Sequence, residues 1–406
     1  MEKTSGRVGP GARLALLLPA GVALLAGLDA ALTLLGLPAP VELDRLPDVH
    51  GPLMVLGFVG TLVALERAVA LAPATSAERA RPWAWAAPLL LGVGGLLLIA
   101  PAPLAAGRAC LVAGSAVLVA LYGAAWGRRA DPAIAIQGLG ALGALGGATL
   151  WAAGVPVPAL APWLVAFLVL TIVGERLELM RIVPLPALAE RGLLVASLAV
   201  VGGAALALLW PGVGTAVLGA ALVGTVALLV RFDVARRTVR GHGLPRFMAV
   251  AMLGAFAWLA VAGAIWLVGG PVSSGVRYDA VLHAVFLGFV MSMVMAHAPV
   301  ILPAVLRRPL PYRPVMYGPL ALLHATLVLR LLVGDARDVP WAVQAGGVGN
   351  VVAVLAFVVV AATSVLRGAP ARPARPQAAP VGDGVTRTGD VADTVDVAGA
   401  QLEVVA

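Results

Sequence analysis

The sequence predicts an all-α membrane protein, about twelve transmembrane helices in one bundle with N- and C-termini in the cytoplasm. Three observations carry that expectation. Hydrophobic residues make up 61% of the chain and charged residues 12%, and the mean hydropathy of +0.99 lies far outside soluble globular composition. Apolar segments long enough to cross a hydrocarbon core follow one another through short connections. The basic residues alternate between the two sides of the bundle those segments would form, and of the 28 Lys and Arg only Arg45, Arg108, Arg277, Arg330 and Arg337 fall on the side away from the termini. A miscounted helix would scramble that bias.

The segments fall at about residues 13–37, 50–72, 83–101, 104–126, 132–153, 160–181, 191–210, 213–231, 246–269, 279–303, 314–334 and 340–366. The first is preceded by a basic stretch, but its apolar run reaches Leu37 with no small-residue cleavage site, so it reads as a spanning helix and not a signal peptide. Pro/Gly turns such as Ala100 to Leu104, Val155 to Pro162 and Trp210 to Gly214 keep consecutive helices antiparallel neighbours. The fifth segment is glycine-rich, with Gly143 and Gly147 at the spacing that lets helices approach closely. In the tenth, Gly288, Ser292 and Ala296 mark a comparable face.

Three regions follow: a short cytoplasmic N-terminus over 1–12, a transmembrane domain over 13–367, and a Pro-Ala-Arg tail over 368–406 that lacks an apolar run and reads as disordered. The net charge of +8 is nearly all arginine and sets topology; it carries no implication of nucleic-acid binding. A single cysteine, Cys110, excludes an internal disulfide. The expected location is the cytoplasmic (inner) membrane, with the lipid bilayer as the first partner.

Ionisable residues at membrane depth are the natural candidates for chemistry. His242 lies in an arginine-rich loop and reads as solvated. His50 opens the second segment and His283 lies near the start of the tenth, which places them at similar depth on the same side although distant in sequence. Two neutral imidazoles facing one another are what a low-spin haem iron needs as axial ligands, with its propionates at the water interface for arginine to pair. Arg45, Arg108, Arg277 and Arg330 all lie near that end; the sequence does not choose among them, and Arg108 and Arg330 enter the candidate site. The plainer alternative is a His50 that caps a helix and a His283 that bonds a neighbouring backbone. His297, fourteen residues after His283 and close to four turns away on the same face, and His324 in the eleventh segment are the candidates for a second metal, copper included, or a quinone site. Interhelical hydrogen bonds would account for them equally well. The GERLELMR end of the sixth segment and Glu66-Arg67 read as ion pairs bracing the cytoplasmic face, with a proton or quinol entrance as the alternative. Tryptophans near segment ends, Trp151 among them, read as an aromatic belt.

The run His50-Gly51-Pro52-Leu53-Met54 resembles the start of the second helix in haem-copper oxidase main subunits, which also have twelve spans and ligate a low-spin haem from helices two and ten. His50 and His283 occupy the corresponding helices. The chain is similar, more closely, to the NnrS family, twelve-span haem- and copper-containing proteins linked to nitric-oxide stress. His50, Met54, Gly57 and Phe58 echo its early histidine motif, and His283, His297 and Arg308-Pro309-Leu310 echo its late histidine helix and basic-Pro turn. Two departures limit what the resemblance implies. Pro162 to Pro211 contains no histidine where the oxidases hold copper ligands, and His283-Ala284-Val285 lacks a paired His-x-His, so a proton-pumping oxygen reductase is excluded from the expectation. What it implies is a haem b protein of respiratory redox chemistry or nitric-oxide defence, with a quinol or another respiratory electron donor as partner and nitric oxide as a ligand. A multi-spanning transporter and a cofactor-free sensor or scaffold are the rival readings.

Overall fold

The computed structural model describes residues 9–41, 43–71, 81–180 and 186–368. The predicted tail, most of the N-terminal region, and Arg181 of the GERLELMR segment lie outside them. Among the described residues the chain is all helical, and twelve helices are long and apolar enough to cross a membrane. They are α1 (Gly11–Leu34), α2 (Leu46–Ala70), α3 (Pro82–Ile99), α4 (Leu104–Arg128), α5 (Pro132–Ala152), α6 (Val157–Met180), α7 (Ala187–Leu209), α8 (Pro211–Phe232), α9 (Gly243–Gly269), α10 (Gly275–Leu306), α11 (Pro314–Asp335) and α12 (Pro340–Arg367). Each overlaps the expected segment and differs from it by a few residues at the ends. Twelve crossings return both described ends of the chain to the same end of the bundle.

Most consecutive helices pack as antiparallel neighbours, and α12 returns to α1 to close the bundle. Small residues set the closest approaches, as expected for association in lipid. A Cβ on Gly143 would sit 2.8 Å from the backbone nitrogen of Phe167, so α5 and α6 touch backbone to backbone. Gly219 of α8 meets the Leu267 nitrogen of α9 in the same way, at 2.5 Å. Gly288 of α10 accommodates the indole of Trp258, whose Cγ would lie 2.4 Å from an added Cβ. The outer faces carry exposed Leu and Val, for example Leu18, Leu198, Val359 and Leu366, which suits contact with lipid acyl chains.

The most buried helices are α6, α10 and α2, with 72%, 67% and 61% of their apolar windows inside the protein. Lipid sees least of these three, and they carry most of the ionisable side chains at membrane depth. Two of them, and α11, also depart from α-helical geometry. Leu53–Gly60 in α2, Ala284–Met291 in α10 and Leu329–Asp335 in α11 are π-helical, with wider turns closed by i→i+5 hydrogen bonds. In α2 the wide turns begin directly after Pro52, which has no N–H to continue the α pattern.

Candidate functional site

His50, His283 and Arg330 meet at the end of the bundle away from the described chain ends, each beside or within a π-helical segment. The Pro47 ring presets the first turn of α2 and His50 follows within that turn. Its Nδ1 lies 3.0 Å from the Gly27 carbonyl oxygen of α1. Gly27 must be small there, because Met54, one turn beyond His50, packs its thioether where a Cβ would stand. On α10, His283 places Nδ1 2.9 Å from the Asp279 carbonyl and 3.1 Å from Asp279 Oδ1.

Carbonyl oxygens only accept, so both rings carry their proton on Nδ1. That leaves Nε2 of each as a lone pair, and neither Nε2 has a hydrogen-bond partner among the described residues. A backbone-anchored Nδ1–H with a free Nε2 is how proteins fix the tautomer of a metal-ligating histidine. His50 lies within electrostatic reach of His283, Arg330 and Asp279. The donor set therefore fits a haem iron between α2 and α10: two like imidazoles from different helices, each with its Nε2 unengaged among the described residues.

Arg330 makes a two-pronged pair with Asp279, Nε to Oδ2 at 2.9 Å and Nη2 to Oδ1 at 2.7 Å. Gly346 of α12 lies flat against it; a Cβ there would come within 2.7 Å of the Arg330 backbone nitrogen. Asp335 stands beside the same carboxylate, with its Oδ2 buried and unpartnered among the described residues. The His283 side chain is 22% exposed and Asp279 28%, so the cluster opens to the surface of the bundle.

The other expected residues go elsewhere. Arg108 stacks on Trp151, guanidinium 4.6 Å from the ring centroid, and Trp151 is 4% exposed. The expectation of a belt tryptophan is thereby corrected: Trp151 is buried because Arg108 covers its face. Arg45 is held by the carbonyls of Ala100 and Ala102, and Arg277 by that of Gly269. Among the described residues His297 and His324 share no partner. His297 Nε2 accepts from Arg176 Nη1 at 3.2 Å and its Nδ1 lies 2.8 Å from the Met293 carbonyl. His324 Nδ1 accepts the Trp258 indole N–H at 2.9 Å, which puts its proton on Nε2, facing Ser292 Oγ at 3.3 Å. A metal at either ring must displace these bonds, so the pair as it stands does not fit copper. The wide turns of α10 lie between His283 and His297 and shift the helix phase. The two rings, expected on one face, look toward different neighbours.

In the GERLELMR run, Arg176 forms its ion pair in the interior: it is bonded through Nε and Nη2 to Asp233, each at 3.0 Å, in a buried triad with His297. Asp233 sits among loop arginines and Asp279 at the start of an apolar run, and neither setting marks it in the sequence as a partner of a buried arginine. A signal for the site did exist. The π-helical segments LMVLGFVG and AVFLGFVM share Leu-Gly-Phe-Val at the same positions, Leu56 to Val59 and Leu287 to Val290, following a histidine in both helices.

One family matches the chain over residues 13–366, described as Domain of unknown function (DUF8744). No curated protein matches it, and no solved structure does.

Proposed function

We propose that this chain, which belongs to the DUF8744 family, is a haem-binding protein of the cytoplasmic membrane, NnrS-like, with His50 and His283 as axial ligands. The observation that carries the reading is the matched pair of imidazoles, each anchored through Nδ1 with its Nε2 lone pair unengaged. Asp279 orients His283 and makes it a stronger donor, while Arg330 pairs with Asp279 and supplies positive charge for propionates at the same end. A bound haem b supplies one-electron chemistry and, with a labile axial position, binds a gas such as nitric oxide. The protein's part is to hold two donors at fixed tautomer in an apolar wall, which suits respiratory electron transfer or protection from nitric oxide, with a quinol or another membrane donor as partner.

The reduced-minus-oxidised visible spectrum of the purified protein tests this, with a pyridine haemochrome assay for stoichiometry. Sharp low-spin b-type bands, lost in both His50→Ala and His283→Ala while the protein stays monodisperse, are expected. A colourless protein after expression with ample haem, or an unchanged spectrum in both variants, overturns the proposal. A second reading, a multi-spanning transporter, is favoured by one observation: Asp335 and Asp29 each bury a carboxylate oxygen with no partner among the described residues.

A further inference from the structure

A second polar cluster lies at the opposite end of the bundle, where α2, α4, α5 and α6 converge. Glu175 of α6 follows Gly174, which packs against Gln137 of α5, and stands one turn before Glu178, which approaches Arg67 of α2; Glu66 and Arg67 lie within its electrostatic reach. The charges do not balance. Arg67 pairs with Glu66, approaches Glu178 at 3.9 Å, and donates to Gln137 Oε1 at 3.4 Å. Arg176, whose charge also reaches Glu175, is bonded to Asp233, Arg128 of α4 donates to the Leu71 carbonyl just beyond α2, and Arg129 pairs with Asp131. From α7 the candidates at this end are Glu190 and the exposed Arg191, and the α10 segment packed on α6 carries no charge. Among the described residues Glu66, Glu175, Glu178 and Asp233 thus stand against Arg67, Arg176 and Arg128, which leaves one carboxylate in excess.

The hydrogen bonding points the same way. Tyr122 of α4 is 3% exposed and Gln137 of α5 is 1% exposed, yet the Tyr122 hydroxyl and Gln137 Nε2 have no partner among the described residues. Both belong to this cluster, Gln137 through its bond to Arg67 and Tyr122 through its electrostatic contact with Arg67, Glu66, Glu175 and Glu178. Buried donors of this kind are satisfied by acceptors or by ordered water, and water beside an uncompensated carboxylate is a route for protons. The Glu178 side chain is 49% exposed, Glu66 23% and Arg67 16%, and Glu175 is half-buried.

We propose that Glu175, with Tyr122 and Gln137, forms a reversible proton-binding site, filled from the aqueous phase at the end of the bundle that carries the described chain ends. One proton from that water converts the Glu175 carboxylate to a carboxyl group, and its release restores the anion. The site is separate from the His50 and His283 cluster and does not depend on haem. Dicyclohexylcarbodiimide tests it on the intact, unsubstituted protein in lipid, since this apolar reagent adds only to a protonated carboxyl group within its reach. Mass-spectrometric mapping should find the adduct on Glu175, at least about fivefold more at pH 6 than at pH 9, because raising the pH removes the reactive proton. Added sodium should leave it unchanged. An unmodified Glu175, labelling equal at both pH values, or protection by sodium, which marks a metal-cation site, would each overturn the proposal.

Discussion

Asp233→Asn asks whether the ion pair between α6 and the connection after α8 is as dry as its geometry implies. The carboxylate accepts two bonds of 3.0 Å from Arg176 and a third of 2.8 Å from the Ala235 N–H. The two side chains are 4% and 0% exposed. Two effects contribute when the charge is removed. The asparagine keeps one acceptor oxygen, so one charge-assisted bond is lost, about 1.5–3 kcal/mol. The larger effect is the guanidinium left without a counter-charge in the interior, and breaking one side of a buried pair costs about 3–5 kcal/mol in total. His297 cannot make up the difference, because its neutral ring offers Arg176 a lone pair and no charge. At about 1.4 kcal/mol per decade, the unfolding equilibrium should shift by more than a hundredfold. Titration with sodium dodecyl sulfate, followed by the fluorescence of the chain's 9 tryptophans, measures it. The double variant Arg176→Met with Asp233→Leu should recover much of the loss, since it leaves no orphaned charge. A loss below about 1 kcal/mol for Asp233→Asn, the range of solvated pairs, would refute the reasoning. So would a double variant less stable than the single one.

Arg330→Gln should weaken haem retention by freeing the Asp279 carboxylate, whereas Arg108→Gln should leave the spectrum intact and cost about 2 kcal/mol of stability through its lost contact with Trp151. Visible spectra and the same detergent titration separate the two. Gly219→Ala should destabilise by about 1–3 kcal/mol, because its methyl group meets backbone of α9 that cannot swing aside. Gly202→Ala, with nothing within 4 Å, should be neutral or slightly stabilising, and equal behaviour of the two would count against packing as the cause. Trp258→Phe removes the donor that fixes the His324 tautomer and should cost about 1 kcal/mol, with a change in the His324 ring ¹⁵N shifts as the direct readout.

The helices were legible because lipid imposes one rule on every residue of a span: an apolar side chain and an internally bonded backbone. Composition and length alone therefore locate all the spans to within a few residues. The depth of His50 and His283 was legible for the same reason, since counting crossings fixes which end each occupies. Lateral position was not. Nothing in the spacing of Arg108 tells that Trp151 takes it, or that Arg330 is the arginine facing Asp279, because which faces meet is decided by small residues such as Gly346 that admit a neighbour. The π-helical segments escaped as well. An apolar run reads the same at either pitch, so a phase counted at 3.6 residues per turn put His283 and His297 on one face when the chain between them is wound more widely.

Those segments bear on why the site lies where it does. π-helical residues are well under 1% of known structure, yet here three helices carry runs of 8, 8 and 7 residues, all bordering or containing a member of one polar cluster. Hydrophobic burial alone gives no reason for that coincidence, because apolar residues pack equally well on regular helices. A widened turn changes the facing of everything before it relative to everything after it. In α2 and α10 it separates the facing of His50 and His283, which lie within electrostatic reach of one another, from that of Leu56 and Phe289, further along in the buried core. In α11 the segment contains both Arg330 and Asp335, so the side chain that grips Asp279 and the one that crowds it come from the same stretch of altered backbone. A helix that served only to fill the bundle would have no use for this geometry at its polar end, and none of the nine other spanning helices adopts it among the described residues.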